Sequence, residues 1–287
     1  GGVELSKGLG KGGFLLQAHA RRFDDYRSPE GEVFNSGAKD QGFLARLEYA
    51  LWRGVLTAGW QSDFGRDVER PRNNSKVTRF YYPAEDSHRF TAAYDLYRVA
   101  GFSRMTFSTF LGAYSQRTDQ DRFATATTPR SIERADVSSN DFQFRATGEK
   151  LAGRTKLEVG VDVNGRRGLE ALDVRLAYDM QGTLAQETVN VSIDNARKTD
   201  LGVYATAEAA LAPVFTVAAG ARGDRVTMRN DGGYFGDRSD ARSAASGFVS
   251  LTAGTFRGFS LTGQVARGFR DPTLSDRFYR GPTGRGY

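Results

Sequence analysis

The chain of 287 residues contains no cysteine. That excludes a disulfide framework, a thiolate zinc site and a thiol nucleophile. It is compatible with passage through an oxidising compartment, where stray thiols would be oxidised. Proline is scarce, at 7 residues, and only two histidines occur. No apolar run approaches the ~18 residues that a transmembrane helix needs. Charged residues make up 26% of the chain, and the mean hydropathy is −0.50. Those values suit a soluble protein. A β-barrel evades the same test, because only every second strand residue faces lipid. Composition leaves both classes open.

What is present favours β structure. Aromatic residues reach 12%, and 20 Phe and 12 Tyr dominate them. The main signal is alternation. Phe90, Ala92, Tyr94 and Leu96 alternate with Arg89, Thr91, Ala93 and Asp95. Leu157, Val159, Val161 and Val163 alternate with Glu158, Gly160, Asp162 and Asn164. Leu201, Val203, Ala205, Ala207 and Ala209 alternate with Asp200, Gly202, Tyr204, Thr206 and Glu208. Leu261 and Val265 share one face, opposite Ser260, Thr262 and Gln264. Successive strand side chains point to opposite faces, so each segment has one apolar and one polar face. The runs are about ten residues or longer, which is the length of a tilted strand crossing a bilayer.

The connections alternate short and long. Short turns are expected near Ser6–Gly13, Leu51–Gly54, Tyr97–Gly101, Glu149–Arg154, Leu211–Val214 and Thr255–Gly258. Long polar loops are expected near Asp24–Gln41, Asp63–Ser87, Tyr114–Ser139, Gly165–Lys198 and Met228–Arg242, and from Arg270 onward. Ala171–Asn195 in addition reads as a hairpin that stands above the membrane. Outer-membrane barrels have this asymmetry, with tight periplasmic turns and long external loops. Phe14, Trp52, Tyr97, Phe102, Phe215, Phe256 and Phe259 flank the short turns, as an interfacial aromatic girdle would.

The pattern yields roughly 12 strands by alternation and turn signals. An open sheet cannot sit in lipid, because its edges would leave backbone groups unsatisfied. The reading is an all-β, transmembrane antiparallel β-barrel, either small and complete or part of a larger one. The chain opens in a strand and stops in a loop, which favours the larger barrel. Residues 1–287 read as one stretch of barrel domain with no internal boundary, placed in the bacterial outer membrane. The net charge of +6 suits an anionic ligand or outer-leaflet lipid phosphate, or is ordinary loop charge.

The segment Phe269-Arg270-Asp271-Pro272-Thr273-Leu274 resembles an element of TonB-dependent outer-membrane receptors. There, a strand ends in Phe-Arg-x-Pro-Thr/Ser-Leu and enters an extracellular loop. Asp271 stands where that family commonly has Ala. A second stretch is similar to an extracellular loop of the same receptors. It carries Arg70-Pro71-Arg72-Asn73-Asn74-Ser75, then Tyr81-Tyr82-Pro83 leading into His88. The resemblance implies about 12 strands of a 22-strand barrel, closed by an N-terminal plug that this chain does not contain. It also implies a Ton box that couples the plug to the TonB energy complex. The function implied is active import of a ferric siderophore or a related metal chelate such as haem. A passive porin is the alternative, because it would share the hairpin rhythm.

Candidate ligand contacts are Arg70, Arg72, Arg79, Tyr81, Tyr82, His88, Arg270 and Arg280, all expected in extracellular loops. Cations among aromatics can pair with and stack on anionic, aromatic chelates or haem propionates, or can simply form a solvated loop. His88 is the better candidate iron ligand of the two histidines, and His19 is expected to face the lumen. Arg46, Glu48, Arg89, Arg104, Arg145, Glu158, Glu208 and Arg222 are expected on the lumen wall, pairing with one another or with a plug. No catalytic constellation, bound cofactor or metal-ligand cluster is expected. The dispersed basic residues do not read as a nucleic-acid patch.

Overall fold

The computed structural model describes residues 1–71, 74–125, 127–256 and 258–279. The strands are β1 (Gly2–Gly8), β2 (Gly12–Phe23), β3 (Arg27–Ser28), β4 (Gly31–Glu32), β5 (Ala38–Leu51), β6 (Gly54–Glu69) and β7 (Thr78–Val99). They continue as β8 (Phe102–Phe123), β9 (Pro129–Ala152), β10 (Thr155–Tyr178), β11 (Leu184–Ala212), β12 (Phe215–Asn230), β13 (Arg238–Phe256) and β14 (Phe259–Arg267). One short helix, α1 (Leu274–Phe278), follows. Twelve strands form a single sheet in sequence order, and β3 and β4 form a separate ribbon in the β2–β5 connection. Each neighbouring pair is antiparallel, as successive hairpins require.

Register aligns the alternation across the sheet. Val161 of β10 lies opposite Ala146 of β9 and Val203 of β11. Asp162, one residue on, lies opposite Arg145 and Gly202. A slip of one residue would exchange the two faces, so this register keeps each face of uniform character. The apolar, outer face leaves Val159, Val203, Val249 and Val265 at 45%, 58%, 59% and 80% exposure. So much open apolar surface needs a nonaqueous neighbour.

The short turns are where the alternation placed them. Ala100 (φ 51°) and Gly101 (φ 81°) both take the left-handed conformation, which matches the twist of a two-residue hairpin. Trp52, at the equivalent turn between β5 and β6, is 71% exposed.

The long connections differ from the sequence expectation. β7 to β11 run 22, 22, 24, 24 and 29 residues, about twice what a bilayer crossing needs. Most of the expected loops Asp63–Ser87, Tyr114–Ser139 and Gly165–Lys198, and about half of Met228–Arg242, are therefore strand, whereas the connection at 24–37 keeps only the short β3 and β4, and the stretch from Arg270 carries α1. The physical reason is that both faces of a hairpin standing in water can be polar. The apolar alternation stops while the backbone ladder continues.

Among the described residues, the inner, polar face carries one apolar cluster, above the level of the apolar outer belt. Val137, Leu169, Ala171, Ile193, Ala196, Val226 and Met228 form its floor, and Leu274 and Phe278 of α1 cover them. Burying side chains of this size contributes about 1.5–3 kcal/mol each. Thr273 caps α1 in a reciprocal capping box with Asp276.

Candidate functional site

Lower on the inner face, Arg222 of β12 forks between two carboxylates. Its Nη1 and Nη2 donate to Asp162 of β10 at 2.6 and 3.0 Å, and its Nε donates to Asp224 at 2.7 Å. Asp162 and Asp224 are 1% and 5% exposed. The guanidinium reaches β10 by passing over Gly202 of β11, where a side chain would overlap Nη2. Arg104 of β8 pairs with Asp95 of β7 at 2.7 Å. The expected mixed-charge wall thus includes side chains that pair with one another. His19 also takes the inner face, with its ring over Gly42.

At the outer end, the β6–β7 hairpin holds the cation and aromatic candidates. Arg79 lies 3.8 Å from the ring centroid of Tyr81 and pairs with Glu69 at 2.7 Å. Arg70 lies 4.7 Å from the ring centroid of Tyr82. Tyr81 and Tyr82 are consecutive strand residues and project to opposite sides, so they form two cation–aromatic pairs and not one cage. Burial, reinforced by the charges of Asp121 and Asp119, raises the Tyr81 phenol above its usual range and keeps it neutral. Burial likewise raises Asp119 and Asp121, against the pull of Arg134 and Arg79.

Tyr81, Tyr82 and Arg79 are strand residues, not loop residues. His88 lies apart from them. It shares the apolar face with Phe90, its Nδ1 meets Ser62 Oγ at 2.8 Å, and its ring packs edge-on against Phe64 at 5.4 Å. The alternation that marks Phe90 and Ala92 puts His88 on the same outer face. Arg72 and Arg280 lie outside the described residues.

Arg270 is exposed at the start of the segment that carries α1. The next residue, Asp271, pairs with Lys198 on β11, and Lys198 Nζ reaches the Pro272 carbonyl at 3.5 Å. Asp271, which departs from the resembled element, is thus the residue that ties this segment to the inner wall.

Sequence reasoning missed a contact between two loops. Asn74 accepts from the Phe34 N–H at 2.7 Å and donates to the Glu32 carbonyl at 3.1 Å. Asn35 donates to the Ser75 carbonyl at 2.8 Å, and Lys76 sits 4.4 Å from the Phe34 ring centroid. Below them, Asp25 accepts from the N–H groups of Ser36 at 2.7 Å and Gly37 at 3.0 Å. These bonds, led by Ser36, lower the Asp25 pKa below the ordinary carboxylate value. The only signal was the turn-forming character of Asn and Asp.

The family described as TonB dependent receptor-like, beta-barrel, matches residues 25–287. No curated protein matches the chain. Among solved structures, it is similar to the copper transporter OprC, with 16% identity and a TM-score of 0.72 over 98% of this chain and 45% of that one. It is similar to the hemophore receptor HasR of Serratia marcescens, with 13% identity and a TM-score of 0.66 over 98% of this chain and 44% of that one. The FrpB iron transporter of Neisseria meningitidis gives 16% identity and a TM-score of 0.65, covering 96% of this chain and 45% of that one. The chain thus spans a little under half the length of each. These likenesses agree with the partial barrel, and the family is one of bacterial outer-membrane transport receptors, not enzymes. The chain belongs to the TonB-dependent receptor β-barrel family.

Proposed function

We propose that this chain is part of an outer-membrane receptor that imports a metal chelate, a ferric siderophore or haem-like ligand, with energy supplied through TonB. The observation that carries the reading is the family match over residues 25–287. It is supported by a sheet with a charged inner face and an apolar outer face. The similar structures are a copper transporter, a hemophore receptor in complex with heme and an iron transporter, so a metal-bearing cargo is their common element.

In this reading the ligand first meets the external hairpins. Arg70 is exposed, stacks on Tyr82 and has no carboxylate partner among the described residues. Together with Arg270 it offers charge to an anionic chelate. Arg79 and Tyr81 form a second, ion-paired group on the other side of the hairpin. Asp271 and Lys198 hold the α1 segment where the inner wall meets the external hairpins. The energy-coupling partner acts through parts of the protein beyond this stretch of barrel.

The test is growth of the source bacterium with this gene disrupted. Haemin, a ferric catecholate chelate and a copper salt are offered separately as sole metal source. Loss of growth on one, restored by the intact gene and lost again in a strain without TonB, is expected. Unimpaired growth on all three, or rescue independent of TonB, would contradict the proposal.

A further inference from the structure

The outer face carries a groove of about 660 Å³ that the transport reading does not use. Trp60, His88, Phe90, Leu111, Phe142 and Arg167 line it. All six point outward by register: Phe90 lies opposite Trp60 and Leu111, Leu111 opposite Phe142, and Arg167 opposite Asn140. The groove is amphipathic along its length. Phe90 and Leu111 stand about ten residues above the Ala100–Gly101 turn, or roughly 25 Å for a tilted strand, which is the height of a barrel's apolar band. His88, Asn140 and Arg167 lie a further step up, at the level of lipid headgroups.

Arg167 differs from three outer-face cations on β2, β5 and β6. Lys39 pairs with Asp67 at 2.8 Å, Arg22 with Asp24 at 3.2 Å, and Arg66 with Asp86. Arg167 is exposed and has no carboxylate partner among the described residues. Its guanidinium sits 4.8 Å from the Phe142 ring centroid. Phe142 in turn lies across Gly165, where an added Cβ would come within 2.9 Å of the ring. Gly165 lets the ring lie flat on the sheet, and the ring supports the cation. A guanidinium held this way keeps its in-plane N–H donors for a phosphate.

We propose that this groove binds one anionic lipid of the outer leaflet, with a phosphate on Arg167 and an acyl chain along Trp60, Phe90 and Leu111. The commitment to a phosphate-bearing lipid rests on charge complementarity at Arg167 and on the apolar lower half, which free phosphate would leave empty. The proposal also rests on the outer-membrane reading. Recovery of the protein in the outer-membrane fraction checks that reading separately.

The test uses the intact protein, delipidated in detergent micelles and titrated with lipid A, with bound lipid counted by native mass spectrometry. A saturable bound lipid is expected. Loss of one charge-assisted contact, ~1.5–3 kcal/mol, would weaken it about tenfold or more in Arg167→Gln. Phe142→Leu should weaken it too, whereas Arg225→Gln, on the outer face of β12, should not. Equal binding of a phosphate-free lipid A, unchanged binding in Arg167→Gln, or displacement by inorganic phosphate alone would overturn the proposal.

Discussion

Arg222 Nη1 donates to Asp162 at 2.6 Å across an intervening strand, and only the missing side chain of Gly202 leaves the path open. One guanidinium therefore ties β12 to β10 over the top of β11. Two almost fully buried carboxylates depend on it.

Removing one partner of such a group strands the other charges, at a cost of about 3–5 kcal/mol. Arg222→Ala in the intact protein should therefore unfold at lower urea in lipid vesicles. Gly202→Ala should do the same without changing any charge. If Gly202→Ala unfolds with the wild type, the guanidinium does not depend on that gap.

The Lys198–Asp271 pair should hold the α1 segment. Asp271→Ala is expected to raise hydrogen exchange across residues 269–279 while β11 and β12 keep their protection. Lys198→Ala should give the same pattern, and the double variant should add little to either. Additive effects would mean that the two residues act separately.

Asp25 sets a pH limit on the loop at residues 24–37. Its folded pKa is depressed, so its contribution is fully present above the ordinary value of 3.8 and is lost as pH falls through the lower folded value. A spin label at Ser28 should stay immobile from pH 8 to pH 5 and loosen only in stronger acid. Asp25→Asn should be mobile throughout. Loosening of the wild type between pH 8 and pH 5 would contradict this role.

The two interlocked loops can be separated with one substitution. Asn74→Ala removes the bonds to Phe34 and Glu32, with an expected cost of about 1–2 kcal/mol. Trypsin should then cut more readily after Arg27 in the folded protein. Unchanged cleavage would show that the remaining contacts from Asn35 and Lys76 suffice.

Strand order, antiparallel pairing and both faces were legible in the sequence because lipid imposes a strict period of two. The same rule reads the outward position of His88 from Phe90, whereas proximity to Tyr81 and Tyr82 suggests a loop. Strand ends were not legible. Above the apolar belt nothing forces alternation, so the upper parts of β7 to β11 look like loops. The Arg222 fork was not legible either, because it needs the register of three strands at once. The role of Asp271 depends on Lys198, which is distant in sequence, and no local pattern links them.

The central claim is that the hairpin tips lie outside the cell and the short turns inside the periplasm. The lack of native cysteine in this chain makes that directly measurable. Single cysteines at Ser75, Gln181, Ala100 and Gly153 would be introduced into the intact protein. Each would be exposed to a membrane-impermeant maleimide on whole cells. Labelling at Ser75 and Gln181, with Ala100 and Gly153 labelled only after the outer membrane is opened, is the expected result. Labelling of Ala100 and Gly153 on intact cells would contradict the account.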